Sequence, residues 1–564
     1  MALDFRSNLH DLLFPTSHAE SSTRAGRAKD AGVRRLISEG ANTPRIAILG
    51  AGAAGICMAL QLLEQGITSF TIYEKAKGVG GTWRANTYPG AACDVPSHLY
   101  SFSFAPKVNW TRKFPEQPEI LSYFESLVTD HNLAPHIEFN TEVTSATWDE
   151  ALSLWRLELL RPADAIDVGE DVGEDLREED GEDVGESEPQ RTPTEQVEAE
   201  IVVSGLGQLN RPSIPNIEGL ETFEGTTFHS ARWEHDHDLT GERVGVIGIG
   251  ASAIQFVPQV APQVADLTLF QRSVNYVAPK PDRAFKGWEQ WVLRHVPGVR
   301  EAYRSSIYWR FEFRFRLMKK GSRLGRLLQK KFGEQISSLA SPKLPLEALV
   351  PDYTPGCRRI LIANDWYPTL LRPNTRVITE GVSRITQTGI QTDSGEKIDL
   401  DTIIFGTGFQ ATEFLAPLRI TGRDGQELSE VWRDGARAFL GVAVGGFPNF
   451  FILYGPNTNL GHNSILFMIE QQVGYIRQII DEFVLRGISS IEVQDTAMDT
   501  FDSEISRATA QTVWAEDCSS WYKNSSGRVT NNWPDYTVKY KQRLAHLDPR
   551  DWLVRTASQA VDHE

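Results

Sequence analysis

The first sustained pattern of apolar and polar positions begins at Arg45. The run RIAILGAGAAG is a short β-rich stretch breaking into glycines, ICMALQLLEQG has the spacing of a helix ending at Gly66, and TSFTIYEK reads as a second strand. Together they predict a strand–helix–strand unit of about 30 residues. A second unit with the same succession, RVGVIGIGASAIQFVPQVAPQVADLTLFQRS, begins at Arg243. Further strands are predicted at LWRLELL and AEIVVSG, across residues 375–390 and in DTIIFGTGF, and a helix near residues 466–485. Residues 1–44 show no sustained periodicity and read as an extension partly draped over the body.

Two stretches interrupt this order. Residues 281–345 turn helical, aromatic and basic: Arg310, Arg314, Arg316, Lys319, Lys320, Arg323, Arg326, Lys330 and Lys331 stand among Trp309, Phe311, Phe313, Phe315 and Phe332. Such a stretch suits an anionic membrane surface; a helical insertion covering the active site, with a solvated basic face, is the preferred reading. Residues 163–190 carry imperfect copies of Val-Gly-Glu-Asp, and their dense like charge predicts a solvated, disordered surface insertion rather than a regulatory tail.

The 564 residues correspond to roughly two to four domains. With 41% hydrophobic and 10% aromatic residues, the chain can fill large cores. No apolar run approaches the ~18 residues of a membrane-spanning helix, and the N-terminal MALDFRSNLHDLLF does not read as a secretory signal. The net charge is −17, yet thirteen acidic residues and one arginine between Asp164 and Glu188 account for −12 of it. The acidity therefore belongs to one segment, and a nucleic-acid partner is disfavoured. The four cysteines (Cys57, Cys93, Cys357, Cys518) are far apart, without a CxxC pair. Neither a zinc site nor a disulfide framework is indicated, which fits a reducing, cytoplasmic setting.

Candidate chemistry starts at the glycines. Gly50-Ala51-Gly52-Ala53-Ala54-Gly55 follows a strand and opens a helix. Gly50 permits a tight turn, Gly52 lets a pyrophosphate approach the backbone, and Gly55 lets helix and strand pack closely. The helix start presents free N–H groups to the phosphates. Glu74, 24 residues after Gly50, is placed to accept hydrogen bonds from ribose hydroxyls. In the second motif Gly248 and Gly250 are followed by Ala251, Ser252 and Gln255 at the helix start, and the residue matching Glu74 is Arg272, next to Ser273. A carboxylate would repel a 2′-phosphate, whereas a guanidinium clamps it. FAD on the first unit and NADPH on the second is the economical assignment. The fold class is α/β, with two Rossmann-like dinucleotide-binding domains and a helical insertion.

Two further stretches carry a resemblance. Gly80-Gly81-Thr82-Trp83 through Tyr88-Pro89-Gly90 to Asp94 resembles the GGxWxxxx(F/Y)P(G/M)xxxD signature of type I Baeyer–Villiger monooxygenases. Phe223, Gly225, His229 and Trp233 resemble their FxGxxxHxxxW(P/D) fingerprint, with Glu234 where Pro or Asp is usual. The wider relatives are the class B flavoprotein monooxygenases. The likeness runs from about residue 45 to 534, leaving out the extension and the acidic insertion. It implies that Gly81, Thr82, Trp83, Asp94 and Tyr100 lie around the flavin, that Arg358 helps hold the 2′-phosphate, that Arg359 is the active-site arginine and that Trp521 contacts NADP from a mobile loop. His229 is a linker residue in such proteins rather than a proton shuttle. Gly455-Pro456-Asn457 and Gly461-His462-Asn463 resemble a turn close to the cofactors, and the run from Asp401 to Gly408 closes the flavin domain. His235-Asp236-His237-Asp238 reads as a polar turn rather than a metal site.

The implied division is an extension at 1–44, the first part of the FAD domain at 45–214, the NADP domain at 215–280 and 346–394, the insertion at 281–345, and the rest of the FAD domain with the C-terminal region at 395–564. The implied reaction converts ketones and O2 to esters or lactones through a flavin peroxide. That peroxide should attack as an anion, which needs a permanent cation nearby, and Arg359 stays protonated at any working pH. Asp94 would orient the guanidinium through a charge-assisted pair. Heteroatom oxygenation wants the protonated hydroperoxide and is the alternative; an NADPH-dependent flavin reductase or a non-catalytic regulator fits less well. The ketone is expected to be selected by residues 281–345 and by loops near 409–414, 439–444 and Phe467.

Overall fold

The computed structural model describes residues 24–161, 193–518 and 520–556; the acidic repeat lies outside the described residues. Two five-stranded parallel sheets organise the molecule. The first runs in the order Phe450–Ile452, Ile201–Ser204, Ile46–Leu49, Phe70–Tyr73, Ile137–Glu138. Every residue of Ile46–Leu49 and Ile201–Ser204 is buried, as expected of parallel strands covered on both faces. Helix Ala53–Gln65 makes the crossover and packs against the long helix Ile465–Arg486.

The second sheet runs Thr375–Ile378, Asp266–Phe270, Arg243–Ile247, Thr402–Phe405, Thr226–His229, again all parallel. Strand Thr402–Phe405 therefore belongs here, paired with Arg243–Ile247 and Thr226–His229, and not to the first unit as the resemblance implied. Its own sequence carries no sign of which sheet it joins. A smaller sheet contains Leu154–Leu160 and Pro193–Ala199 as antiparallel neighbours, so the acidic insertion connects two paired strands.

Residues 287–337 form three helices, Gly287–His295, Val299–Phe313 and Arg323–Ser337, as expected. The extension departs from expectation: Arg24–Ser38 is a helix. It is tied down by polar contacts that apolar periodicity does not register. Arg477 pairs with Asp30 at 3.1 Å, both buried, Lys29 reaches Glu482 at 3.2 Å, and Arg34 bonds Gln65 at 3.1 Å. Among the described residues no helix is long and apolar enough to cross a membrane.

The contact that sets the first unit is at Gly55. A Cβ there would lie 2.0 Å from the Gly50 carbonyl oxygen, a backbone atom that cannot step aside without moving the turn. Gly55→Ala is expected to destabilise the protein by roughly 1–3 kcal/mol through overpacking. The midpoint of urea unfolding should fall accordingly; an unchanged midpoint would mean that helix and strand can separate freely.

Candidate active site

One continuous cleft of about 1790 Å³ is lined by the carboxyl ends of strands from both sheets. That is well above the ~300–1,000 Å³ of a small-molecule pocket and leaves room for more than one large ligand. Ligands of open parallel sheets bind at that end of the strands.

On the first side Gly50 and Gly52 line the cleft, whereas Gly55 lies behind them, where its role is packing. Gly52 caps helix Ala53–Gln65 with no side-chain hydrogen bond, so its first N–H groups are left for a ligand. The Glu74 carboxylate accepts from the backbone N–H of Ala51 at 2.7 Å and of Ala76 at 2.8 Å, which steers it onto the glycine turn. Two of its roughly four lone-pair sites are used, leaving capacity for ribose hydroxyls. Gly81, at φ +52, brings the Gly80-Gly81 turn so close to the first glycine loop that a Cβ there would lie 3.0 Å from the Gly52 Cα, and a larger residue would push the two loops apart. Thr82 opens the short helix Thr82–Ala85. Trp83 Nε1 donates to the Tyr100 hydroxyl at 2.9 Å, and both rings line the cleft.

On the second side Gly248, Gly250, Ala251 and Ser252 line the cleft, and the start of helix Ala253–Val260 again lacks a side-chain cap. Arg272 and Ser273 are exposed at its mouth. Arg358 Nη1 donates to the Ser273 hydroxyl at 2.6 Å and its guanidinium lies 4.7 Å from the Tyr353 ring. Arg358 is thereby held beside Ser273, the residue that follows Arg272, and both arginines line the cleft. Gln255 also lines the cleft, but its side chain is spent on bridging: its oxygen accepts from Tyr88 at 3.0 Å and its nitrogen donates to the Ala92 carbonyl at 3.0 Å. It ties the second unit to the stretch just before Asp94.

Arg359 and Asp94 meet between the two sides. Arg359 Nε and Nη2 donate to Asp94 Oδ2 at 2.8 and 2.5 Å, and Nη1 donates to the Leu460 carbonyl at 3.2 Å. The side chains remain 25% and 28% exposed, enough to face the cleft. Burial pulls the Arg359 pKa down, but the Asp94 charge, aided by Tyr522 and Tyr454, more than offsets it and holds the pKa above the ordinary arginine value. The cation is permanent. Trp521 lines the same cleft, and its neighbour Tyr522, pushed up to about 12 chiefly by burial, sits against Arg359.

Several expectations need correction. No residue of 281–345 lines the cleft; Ile307, Tyr308 and Phe311 pack into the main core, and Phe315 and Met318 pack on Trp514 and Tyr522. Phe439–Val444 and Phe467 are also core residues, with Phe467 against Tyr308 at 5.1 Å. Phe409 and Ala411 do line the wall, joined by Leu415, Leu466 and Ile469. Cys357 and Cys518 are disulfide-bonded with Cα atoms 6.5 Å apart, where the sequence indicated no disulfide framework. Their separation of 161 residues carries no spacing signal. His229 is buried, accepts from Ala231 N at 3.1 Å, and does not line the cleft; burial lowers its pKa. His235 bonds Thr87 and His237 bonds Glu242 and Thr402, in separate directions.

Sequence reasoning missed Glu312. This buried carboxylate of the insertion accepts from Asn463 at 2.9 Å and Thr537 at 2.8 Å, with His462 Nε2 at 3.6 Å, and so anchors the insertion to the turn beside Leu460. Only the Gly461-His462-Asn463 motif pointed to the spot.

The chain's likenesses agree with this geometry. A family model described as NAD(P)-binding Rossmann-like domain matches residues 48–114, and one described as Flavin-binding monooxygenase-like matches residues 179–293. A Baeyer-Villiger monooxygenase of Pseudomonas aeruginosa is 39% identical over 520 residues, covering 92% of this chain and 92% of that protein. Another, from Streptomyces coelicolor, is 37% identical over 513 residues, covering 90% and 92%. The structure of cyclohexanone monooxygenase from Rhodococcus sp. Phi1 bound to NADP+ matches with a TM-score of 0.77 at 26% identity, over 91% of this chain and 99% of that one. The chain therefore belongs to the Baeyer–Villiger monooxygenases, FAD-containing enzymes that depend on NADPH.

Proposed function

We propose that this enzyme inserts one oxygen atom of O2 beside the carbonyl of a ketone, giving an ester or lactone, with Arg359 and Asp94 as its catalytic pair. The observation that carries this reading is the ion pair itself, facing the cleft that both glycine loops line. Bound FAD, reduced by NADPH, supplies the oxygen-activating chemistry. The residues supply the rest. The uncapped helix start after Gly52 would hold the FAD pyrophosphate and Glu74 its ribose, with Gly81, Thr82, Trp83 and Tyr100 available to the isoalloxazine. The helix start after Gly250 holds the NADP pyrophosphate, and Arg272 and Arg358 clamp its 2′-phosphate.

Arg359 keeps its charge at any working pH, so it favours anionic oxygen at the reacting centre and stabilises the oxyanion of the carbonyl adduct. Asp94 is a positioning carboxylate: two N–H groups on one of its oxygens fix the direction of the guanidinium fork. The apolar wall formed by Phe409, Leu415, Leu466 and Ile469 fits an apolar ketone and helps keep water out. A cytoplasmic setting, where NADPH is regenerated, suits this reading.

A panel of ketones and sulfides, with NADPH consumption and product mass read together, tests the reaction; oxygenated sulfides without any ester or lactone would defeat it. Arg359→Ala should still allow NADPH to reduce the flavin but lower ester formation by on the order of 10²–10³, and unaltered ester output would refute the assigned role. Arg272→Ala should cut the preference for NADPH over NADH by roughly 10–100-fold, the loss of a charged hydrogen-bonding partner. The readout is stopped-flow flavin reduction with each nucleotide, and equal rates in the parent enzyme would remove the second assignment.

A further inference from the structure

The disulfide lies at a sensitive place. Cys357 directly precedes Arg358 and Arg359, and Cys518 stands three residues before Trp521. The Cα separation of 6.5 Å lies within the range a disulfide spans without backbone movement. Both sulfurs sit in a small apolar cluster with Tyr276 and Tyr353, and Tyr353 is the ring under the Arg358 guanidinium. The same loop touches the arginine-bearing segment twice more. Trp514 Nε1 donates to the Gly356 carbonyl at 3.0 Å, and Tyr522 lies against Arg359. Phe315 and Met318 of the helical insertion back this contact by packing on Trp514 and Tyr522.

Of these tethers only the disulfide can be made or broken by chemistry at constant temperature and pH. Breaking it leaves the Trp514 hydrogen bond and the aromatic packing, so the loop loosens without unfolding. We propose that the Cys357–Cys518 disulfide is a positioning clamp for NADP(H) and for Arg359: closed, it seats the Trp521–Tyr522 loop on the segment carrying Arg358 and Arg359; reduced, it frees that loop to leave the cleft. The proposal rests on the reading that Arg358 helps bind NADP and Arg359 is catalytic. It forms by loss of two protons and two electrons from the thiol pair. Hydrogen peroxide, which reduced flavin releases with O2 when no substrate is oxidised, accepts both and becomes two waters. Cys57 and Cys93, buried and free, with thiol pKa values raised chiefly by burial, are not competitors.

The test uses the FAD-loaded enzyme purified without reductant. Unfolded in denaturant, it should titrate two thiols, Cys57 and Cys93, and four after reduction. Treatment of the folded enzyme with a phosphine reductant should raise the KM for NADPH roughly 5–10-fold, a modest coupling, and increase the fraction of NADPH lost to hydrogen peroxide, with flavin content and far-UV spectrum unaltered. Cys518→Ser should show the same KM and peroxide fraction and be indifferent to reductant. Four thiols before reduction overturn the clamp. So does a KM and peroxide fraction unmoved both by reduction and by Cys518→Ser, because a merely structural staple would behave that way. Equal rates with NADPH and NADH in the unreduced enzyme would instead defeat the cofactor assignment, whatever the thiol count.

Discussion

A carboxylate and a guanidinium 265 residues apart meet at one oxygen at 2.8 and 2.5 Å, and the facing of the two sheets depends on that meeting. Asp94 comes from the chain that leaves the first sheet, Arg359 from the chain returning to the second. A partly buried guanidinium needs its counter-charge, so the pair cannot be satisfied unless the two units face each other in one relative position. Gln255 reinforces this by bonding Tyr88 and Ala92 from the helix behind the second glycine loop. Two crossings therefore fix the neighbourhood of the same carboxylate.

The electrostatics are local. The chain is acidic overall at −17, but most of that charge sits in one insertion, and fields between exposed charges fade over about 8–10 Å in physiological salt. What a dinucleotide meets is set by the side chains within the cleft: Glu74 on one side, Arg272 and Arg358 on the other, and Arg359 between them. At corresponding positions the two otherwise similar units carry opposite signs, the difference expected between a site for a plain ribose and one for a phosphorylated ribose. The helix starts are uncapped in both units alike, and a helix start attracts an anion without discriminating between nucleotides.

Much of this was legible in the sequence because it is written locally. Strand, glycine turn and helix follow one another within about 30 residues, and Gly50, Gly52 and Gly248 occupy the cleft as their spacing implied. What could not be read was long-range. Strand Thr402–Phe405 carries the same apolar run and glycine turn whichever sheet it enters. Helix Arg24–Ser38 is held in part by Asp30, Lys29 and Arg34, polar side chains that apolar periodicity passes over. Phe439 and Phe467 looked like pocket aromatics, yet an aromatic side chain is as suited to a core as to a wall, and here both are core. The cysteines gave no spacing pattern because their partnership is made by the fold alone.

The helical insertion shows how such a misreading can still point to the right region. Its basic and aromatic composition predicted a cover, but its residues stop one layer short of the cleft. Met318 would contact a Cβ at Gly356, whose φ of +92 is the conformation glycine permits at this crowded turn. Phe315 packs on Trp514 and lies 5.1 Å from His462, while Glu312 binds Asn463, three residues after Leu460, whose carbonyl receives Arg359. The insertion thus reaches Arg359 through the two segments that hold it, and the apolar wall is left to Phe409, Leu415, Leu466 and Ile469. Composition alone cannot separate a residue that touches a ligand from one that steadies its neighbour, since both must be large, apolar and conformationally restrained.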